Sequence, residues 1–430
     1  MGLIPTVVSG LGAGPILTAV LLILFFATAA IVPGAITWGS ALLAILALIL
    51  GWRGLRDLER DEWLVLAGFA AYVAGGLLSL FNNSDWDTAA WRFEKYHPFL
   101  LAFPILGLLR TLRPVMTPLL LTGLLLASVG MVALALWQQI FLHYPRVGLG
   151  TGLNPNIFGY LAGLVALVLL MAGLALKQHW SARAGWILGA AVALYAAFAT
   201  GSRGVLLAFL GAVVATAVLW LLHNRRKPVE MLYSLGVVLL LLAAVLWGMS
   251  HSEFWQAHWQ RLLDEPQRFL DGDYQYTSVA ARATMLLAAW QIWLSNPWLG
   301  TGLGDAQNDF DVLMAAGELP QVAGASNHIF HNIFADALAT TGLIGTLLML
   351  VAQFALPAWF FWLKLRSAER GSAASFAALA GLAVVLSNFL FGLTNSWLYL
   401  RSLPFVLIVM LMLMVIASPG FSPGRSSSSS

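Results

Sequence analysis

The sequence contains no cysteine and little charge. Without a thiol, the chain can form neither disulfides nor a thiolate metal site, and a cysteine nucleophile is excluded. Charged residues make up 10% of the 430 residues and hydrophobic residues 60%, whereas about a quarter of an average soluble domain is charged. This composition is typical of a protein that crosses a membrane several times.

The chain also lacks the short alternating segments of a membrane β-barrel and has long runs of Leu, Ala, Val and Gly instead. Since a spanning helix needs roughly 20 apolar residues, these runs predict an all-α polytopic membrane protein with about twelve transmembrane helices. The predicted spans are residues 15–32, 35–52, 63–81, 97–109, 116–142, 157–176, 184–201, 203–222, 230–250, 333–363, 373–392 and 397–417. The fourth is short, which suggests a tilted or partly interfacial helix.

The distribution of basic residues predicts the orientation of these spans. If the N-terminus is cytoplasmic, most of the 22 Lys and Arg residues lie on the cytoplasmic side, as the positive-inside rule requires. The first span lacks the basic region and cleavage site of a signal peptide and is expected to remain as an anchor. Both termini are then cytoplasmic. The outer side holds a minority of basic residues: Arg92, Lys95, Arg146, Arg203, Arg261, Arg268, Arg282 and Arg401.

One long polar segment predicts a division of the chain into four parts. Residues 1–250 carry spans one to nine, 251–330 form a periplasmic loop domain, 331–418 carry the last three spans, and 419–430 are a disordered tail. Because long connections often carry function, we expect the site in the loop domain. Within it, residues 279–294 have apolar side chains at helical spacing, which predicts an interfacial helix with tryptophans at headgroup depth.

Arg203 is the strongest functional candidate among the basic residues on the outer side, because it lies in the short break Gly201-Ser202-Arg203-Gly204 between two spans. An ionisable group at such a position is a functional-site hypothesis by default, and a snorkelling arginine that fixes span depth is the alternative. Arg282 begins the predicted interfacial helix and is a second candidate. Guanidinium groups match phosphate oxygens, so the pair suggests a phosphorylated or pyrophosphorylated lipid.

His331 is the best candidate for proton transfer, since imidazole titrates near neutral pH. The alternative is a histidine at a helix start that bonds only to backbone. Asn332 follows it at the junction of the loop domain and a span. His328 and His331 have the i, i+3 spacing of metal ligands, but no third or fourth ligand is evident nearby, so no metal is predicted.

Several weaker signals leave alternatives open. Arg92 and Lys95 surround Glu94 and form either an ion-paired cap or an electropositive rim. Arg146 could face the cavity of Arg203. Residues 297–304 are rich in glycine and are interpreted as a flexible turn, and the Asp-Gly-Asp at 271–273 as a turn rather than an acidic metal motif. The chain has no nucleotide-binding motif and no long basic run, which argues against an ATP-driven pump and a nucleic-acid partner.

A set of motifs spread along the chain points to a known family. They are Asn154-Pro155-Asn156, Gly201-Ser202-Arg203-Gly204, Arg282 ahead of Trp290 and Pro297-Trp298-Leu299-Gly300, and His331-Asn332 ahead of Gly342-Leu343-Ile344-Gly345. In these residues the chain resembles the O-antigen ligase family, whose superfamily also includes O-antigen polymerases and protein O-oligosaccharyltransferases. The predicted spans and the single large outer segment extend the resemblance over nearly the whole chain.

The resemblance implies a GT-C-like glycosyltransferase in the bacterial inner membrane, with its active site facing the periplasm. The implied reaction transfers O-antigen from undecaprenyl pyrophosphate to a sugar hydroxyl of lipid A-core. It inverts the anomeric centre and needs neither metal nor cofactor. Arg203 and Arg282 are expected to bind the pyrophosphate and His331 to act as the catalytic base. Supporting roles are expected for Arg92, Lys95, Arg146, His328 and Asn332.

Alternatives remain open at this stage. An O-antigen polymerase or a protein O-oligosaccharyltransferase would use the same donor chemistry, although the latter relatives are longer. A transporter of an anionic lipid or polysaccharide is the non-enzymatic alternative, and paired broken helices or an internal repeat would support it. A purely structural assembly protein would tolerate substitution of Arg203 and His331. Membrane lipids are expected partners in every case.

Overall fold

The computed structural model describes residues 12–144, 146–148, 154–224, 228–272, 277–322, 330–396 and 403–418. These residues are all-helical, and no strand occurs among them. The helices are α1 (Ala13–Thr28), α2 (Ala35–Leu50), α3 (Arg60–Ser79), α4 (Trp86–Phe93), α5 (His97–Arg110), α6 (Met116–Ile140), α7 (Pro155–Ala175), α8 (Trp180–Phe198), α9 (Arg203–Asn224), α10 (Pro228–His251), α11 (Glu253–Leu270), α12 (Ser278–Ser295), α13 (Ala306–Ala315), α14 (Ile333–Leu350), α15 (Leu356–Ser367), α16 (Ala373–Gly392) and α17 (Leu403–Ala417).

The helices confirm a polytopic membrane protein but not the predicted count of twelve spans. Within the described ranges, eight helical segments are long and apolar enough to cross a membrane, and a ninth arises if α10 and α11, bent by 90°, are one span. α1 and α17 are apolar but shorter, at 16 and 15 residues. α5 has only 14 residues, about 21 Å at 1.5 Å per residue, as its short apolar run predicts.

α7 is the central helix of the bundle. Its apolar window is buried completely inside the protein, and it packs against α8, α9 and α16. Small residues allow this close approach: a Cβ at Gly159 would lie 2.7 Å from Thr200 Oγ1, and one at Gly204 would lie 2.4 Å from Thr394 Oγ1. The start of α9 is thereby held against the end of α16, where the candidate site lies.

α12 is the helix predicted to lie at the membrane interface. Leu287, Trp290 and Leu294 are exposed along one face, and the rings of Trp290 and Trp293 are 4.8 Å apart. The opposite face is rich in alanine and packs against α13 and α14. This division is suited to contact with lipid on one side and protein on the other, while its depth in a membrane stays a prediction.

The glycine-rich residues 297–304 are not the flexible turn that the sequence suggested. Thr301 N–H donates to Ala339 O at 2.9 Å and Gly302 N–H to Thr340 O at 3.1 Å. Gly342 has φ +61° and ψ −164°, which interrupts α14 at this point. A Cβ at Gly300 would lie 2.5 Å from the carbonyl carbon of Thr340. The segment therefore fills the break in α14, and glycine is required at both positions.

The loop between α3 and α4 holds the same segment from its other side. Asn82 Nδ2 donates to Gly300 O at 2.8 Å, and Gly304 N–H donates to Asn83 Oδ1 at 2.7 Å. The Asp305 carboxylate accepts from the N–H groups of Ser84 and Asp85, both at 2.7 Å. The end of α12 and the interrupted α14 are thus fixed to one framework.

Candidate anion-binding and transfer site

A polar cavity of about 510 Å³ lies where the starts of α9 and α12 meet one face of α11 and the residues that follow α16. Typical ligand pockets measure roughly 300–1,000 Å³. Among the described residues, the charged ones in its wall are Arg146, Arg203, Arg261, Asp264, Glu265, Arg268 and Arg282. The five guanidinium groups outnumber the two carboxylates, so the cavity suits an anion.

Arg203 reaches the cavity because of the tight turn between α8 and α9. Gly201 has φ +66° in this turn, a value that glycine adopts without strain. The Arg203 guanidinium donates from Nη2 to Ser278 Oγ at 2.7 Å, so it is directed toward α12. This geometry favours the binding interpretation of Arg203 over an arginine that snorkels to the membrane surface.

Arg282 lies one helical turn beyond Ser278 and therefore on the same face of α12. Burial lowers the pKa of the Arg282 guanidinium, and the nearby charge of Arg203 lowers it further, whereas Glu265 raises it. Two like charges are thus held close together in a half-buried position. A bound anion would relieve that repulsion, which is the expected property of an anion site.

Arg146 lies in the same cavity, where the sequence suggested it. Its Nε donates to Thr200 O at 2.8 Å, and its Nη2 donates to Asn156 Oδ1 at 3.3 Å. Burial lowers the pKa of Arg146, with a smaller contribution from the charge of Arg203. Two contacts with its own protein hold this guanidinium in place, so it contributes positive charge from a fixed position.

α11 contributes a charged stripe that the sequence interpretation missed. Arg261, Asp264, Glu265 and Arg268 follow the spacing i, i+3, i+4, i+7, which places them on one face of a helix, and all four line the cavity. This spacing of charged residues was the signal in the sequence that could have revealed the stripe. What the sequence could not indicate is the 90° bend between α10 and α11, which turns this face toward Arg203.

His331 has an unusual backbone and an unusual side chain. Its φ is +49°, in the left-handed region that costs a residue with a side chain roughly 1–2 kcal/mol. Its Nδ1 is buried and has no hydrogen-bond partner among the described residues. Burial lowers the pKa of His331, and the charge of Arg282 lowers it further. The imidazole is therefore neutral near pH 7 and able to accept a proton.

His331 lies outside the wall of the cavity but is linked to residues in that wall. Among the described residues, the wall of the 510 Å³ cavity does not include it. The charge of Arg282 nevertheless reaches its ring, and Asn332 Nδ2 donates to Leu393 O at 3.1 Å, next to the cavity residue Thr394. The structure thus places Arg203 and Arg282 in the wall of one cavity, and it places His331 close enough to Arg282 for that charge to lower its pKa.

A comparison with known families matches residues 188–350, which contain Arg203, Arg282 and His331, with a family model described as O-antigen ligase. The match supports membership in the O-antigen ligase family. It confirms the resemblance inferred from the sequence motifs and supports a ligase- or polymerase-like role in O-antigen processing. No curated protein matches the chain.

Asn332 takes a structural role within the segment that matches the family model. Its Oδ1 accepts from the N–H groups of Phe334 and Ala335, both at 3.0 Å, so the side chain caps the N-terminus of α14. With the bond from Nδ2 to Leu393, it joins the start of α14 to the residues after α16. Asn332 therefore fixes the start of α14, directly after His331.

Arg92 and Lys95 require a correction, because neither lines the cavity of the arginines. The Arg92 guanidinium is 1% exposed and pairs with the Asp336 carboxylate at 3.2 Å. Lys95 Nζ lies 3.5 Å from Glu94 and 5.2 Å from the centre of the Trp91 ring. The ion-paired alternative therefore describes both residues, and the electropositive rim does not.

The residues considered as metal ligands are His328, His331 and the Asp-Gly-Asp sequence at 271–273. Among the described residues, no group of three or more His, Cys, Asp or Glu side chains could hold a metal ion. His328 and Asp273 lie outside the described residues. The i, i+3 histidine pair and the Asp-Gly-Asp turn therefore stay predictions.

Proposed function

We propose that this chain is an O-antigen ligase that transfers O-antigen from undecaprenyl pyrophosphate to a sugar hydroxyl of lipid A-core at the periplasmic face of the inner membrane. The observation that carries the proposal is the cavity where Arg203 and Arg282 converge, with His331 within reach of the Arg282 charge. The family match over residues 188–350 supports the same class of reaction.

The two arginines act on the leaving group. When the bond between the anomeric carbon and the phosphate oxygen breaks, negative charge builds on the departing lipid diphosphate. Arg203 and Arg282 are already held in position by Ser278 and by α12, so they stabilise this charge without reorganisation of solvent. Guanidinium groups thereby supply the positive charge that a metal ion supplies in other transferases, and the reaction is proposed to proceed without a metal.

His331 acts on the acceptor. Its neutral imidazole takes the proton of the acceptor hydroxyl as that oxygen attacks the anomeric carbon. The new glycosidic bond forms on the face opposite the departing diphosphate, so a single displacement inverts the anomeric centre. The lowered pKa of His331 keeps the base form available below neutral pH.

Reconstitution tests the proposal directly. Purified protein in lipid nanodiscs receives lipid-pyrophosphate-linked O-antigen and lipid A-core, and glycosylated lipid A-core is measured. Wild type should form product, whereas Arg203→Ala and His331→Ala should not. Arg53→Ala, which removes an exposed arginine far along the chain from the cavity, is the control and should retain activity.

The same assay separates the alternatives. Chain growth on the donor lipid without lipid A-core would indicate an O-antigen polymerase, and transfer to a protein acceptor would indicate a protein O-oligosaccharyltransferase. Full activity of both Arg203→Ala and His331→Ala would contradict the proposal in all three forms.

A further inference from the structure

A buried carboxylate lies in the wall of this cationic cavity. Glu265 on α11 is 7% exposed. It accepts from Ser278 Oγ and from the N–H of Val279, each at 3.3 Å. A carboxylate beside an anion site opposes the binding of an anion, so its burial there requires a reason.

The groups around Glu265 are those that the proposed substrate uses. Ser278 Oγ accepts a hydrogen bond from Arg203 at 2.7 Å and donates to Glu265. The Glu265 charge also stabilises the charged form of Arg282. One carboxylate is therefore linked to both arginines, through a hydroxyl in one case and through space in the other.

The proposed reaction changes the charge of the bound lipid. The donor diphosphate is esterified at both ends, and transfer cleaves its bond to the sugar. The product keeps the electron pair of that bond and has an additional ionisable oxygen, while the proton of the acceptor hydroxyl passes to His331. The product is the more negative species, so a cavity with only positive charge would hold it more tightly than the donor.

We propose that Glu265 is a charge-balancing residue that weakens the binding of the lipid diphosphate product and thereby promotes its release. The inference rests on the proposed function. Glu265 acts through Arg203 and Arg282, since it offsets part of their charge and holds the Ser278 hydroxyl to which Arg203 donates. Donor binding is less affected because the donor has one ionisable oxygen fewer.

The test measures binding of undecaprenyl pyrophosphate to the full chain in nanodiscs, together with its inhibition constant in the transfer assay. Glu265→Gln keeps an acceptor for Ser278 and Val279 but removes the charge. We expect it to bind the lipid about tenfold more tightly than wild type, in the range of coupling between close charges. Glu265→Asp, which retains the charge, should bind like wild type. Glu318→Gln removes an exposed carboxylate that does not line the cavity and is the matched control.

Each outcome supports or overturns the proposal. Unchanged or weaker binding by Glu265→Gln overturns it, as does Glu265→Asp binding as tightly as Glu265→Gln, because loosened packing would then be the cause. Thermal unfolding reports whether Glu265→Gln is folded, and Glu265→Ala is measured in its place if it is not. Arg203→Lys distinguishes failure of the Glu265 proposal from failure of the proposed function. If Arg203→Lys leaves binding of the lipid unchanged, the proposed function itself is wrong.

Discussion

Arg92 and Arg203 are predicted to lie on the same side of the membrane, yet their electrostatic surroundings are opposite. Arg92 is buried with one carboxylate, Asp336, at 3.2 Å. Among the described residues, Arg203 lies in a cavity with four other arginines and two carboxylates. The first arrangement neutralises its charge inside the fold, whereas the second leaves net positive charge facing a space. The difference teaches that an outer arginine becomes a candidate ligand group where the arginines around a cavity outnumber its carboxylates.

The largest expected effect concerns the neutralised pair. Arg92→Met leaves the Asp336 carboxylate buried and uncompensated, which should lower the free energy of unfolding by about 3–5 kcal/mol. Thermal unfolding in detergent measures the loss. The double variant Arg92→Met with Asp336→Leu removes both charges and should recover much of it. Loss of transfer in a fully stable Arg92→Met protein would break the comparison by giving Arg92 a role in the site.

Replacement of the cavity arginines should act on transfer and not on stability. Arg203→Lys and Arg282→Lys keep a positive charge but lose the planar fork of donors, so we expect transfer to fall by roughly a hundredfold to a thousandfold. The transition temperature should change little, because both variants keep the positive charge and both side chains line an open cavity. Near-normal rates in both variants would remove the case for a bound diphosphate.

His331→Ala should lower transfer by at least about a hundredfold, within the range of general acid–base catalysis. Binding of undecaprenyl pyrophosphate should be nearly unchanged, because the imidazole acts on the acceptor. Asn332→Ala is the matched comparison: it removes the cap of α14 and should cost about 1 kcal/mol of stability. If His331→Ala abolishes lipid binding instead, the assignment of His331 to the acceptor is wrong.

The smallest effect is a shift in pH dependence. Burial and the charge of Arg282 both lower the pKa of His331 from 6.5, so the acid limb of kcat/KM should have its midpoint below pH 6.5. Removal of the Arg282 charge favours the protonated ring and raises its pKa. The residual transfer by Arg282→Gln should therefore show an acid limb displaced to higher pH. A midpoint that does not move would show that the limb belongs to another group.

The sequence predicted those features that depend on neighbours along the chain. Long apolar runs predicted a helix at every proposed span, and the four-residue break at Gly201–Gly204 singled out Arg203. The sequence alone left open whether Arg92 was paired, because its partner Asp336 is 244 residues away along the chain. The number of spans stays unconfirmed, since length and apolarity alone admit only eight or nine among the described helices.

The missed features depend on long-range packing. The stripe on α11 was visible as a spacing, but only the bend after α10 gives it a cavity to line. Residues 297–304 were interpreted as a flexible turn because nothing near them in sequence indicates that they fill the break at Gly342. The glycine content of residues 297–304 predicted a turn, but their hydrogen bonds to α14 could be seen only in the folded structure.

The break in α14 has a mechanical consequence. Leu343 N–H donates to Pro297 O at 2.8 Å and Ile344 N–H to Trp298 O at 3.1 Å, so the segment that ends α12 is bonded to the backbone of α14. Arg282 lies on α12, ahead of these hydrogen bonds in the chain, and His331 lies just before α14, the helix that they join to α12. Main-chain bonds, unlike side-chain contacts, survive most substitutions. Substitution of side chains at this joint between α12 and α14 should therefore leave the spacing between Arg282 and His331 largely unchanged.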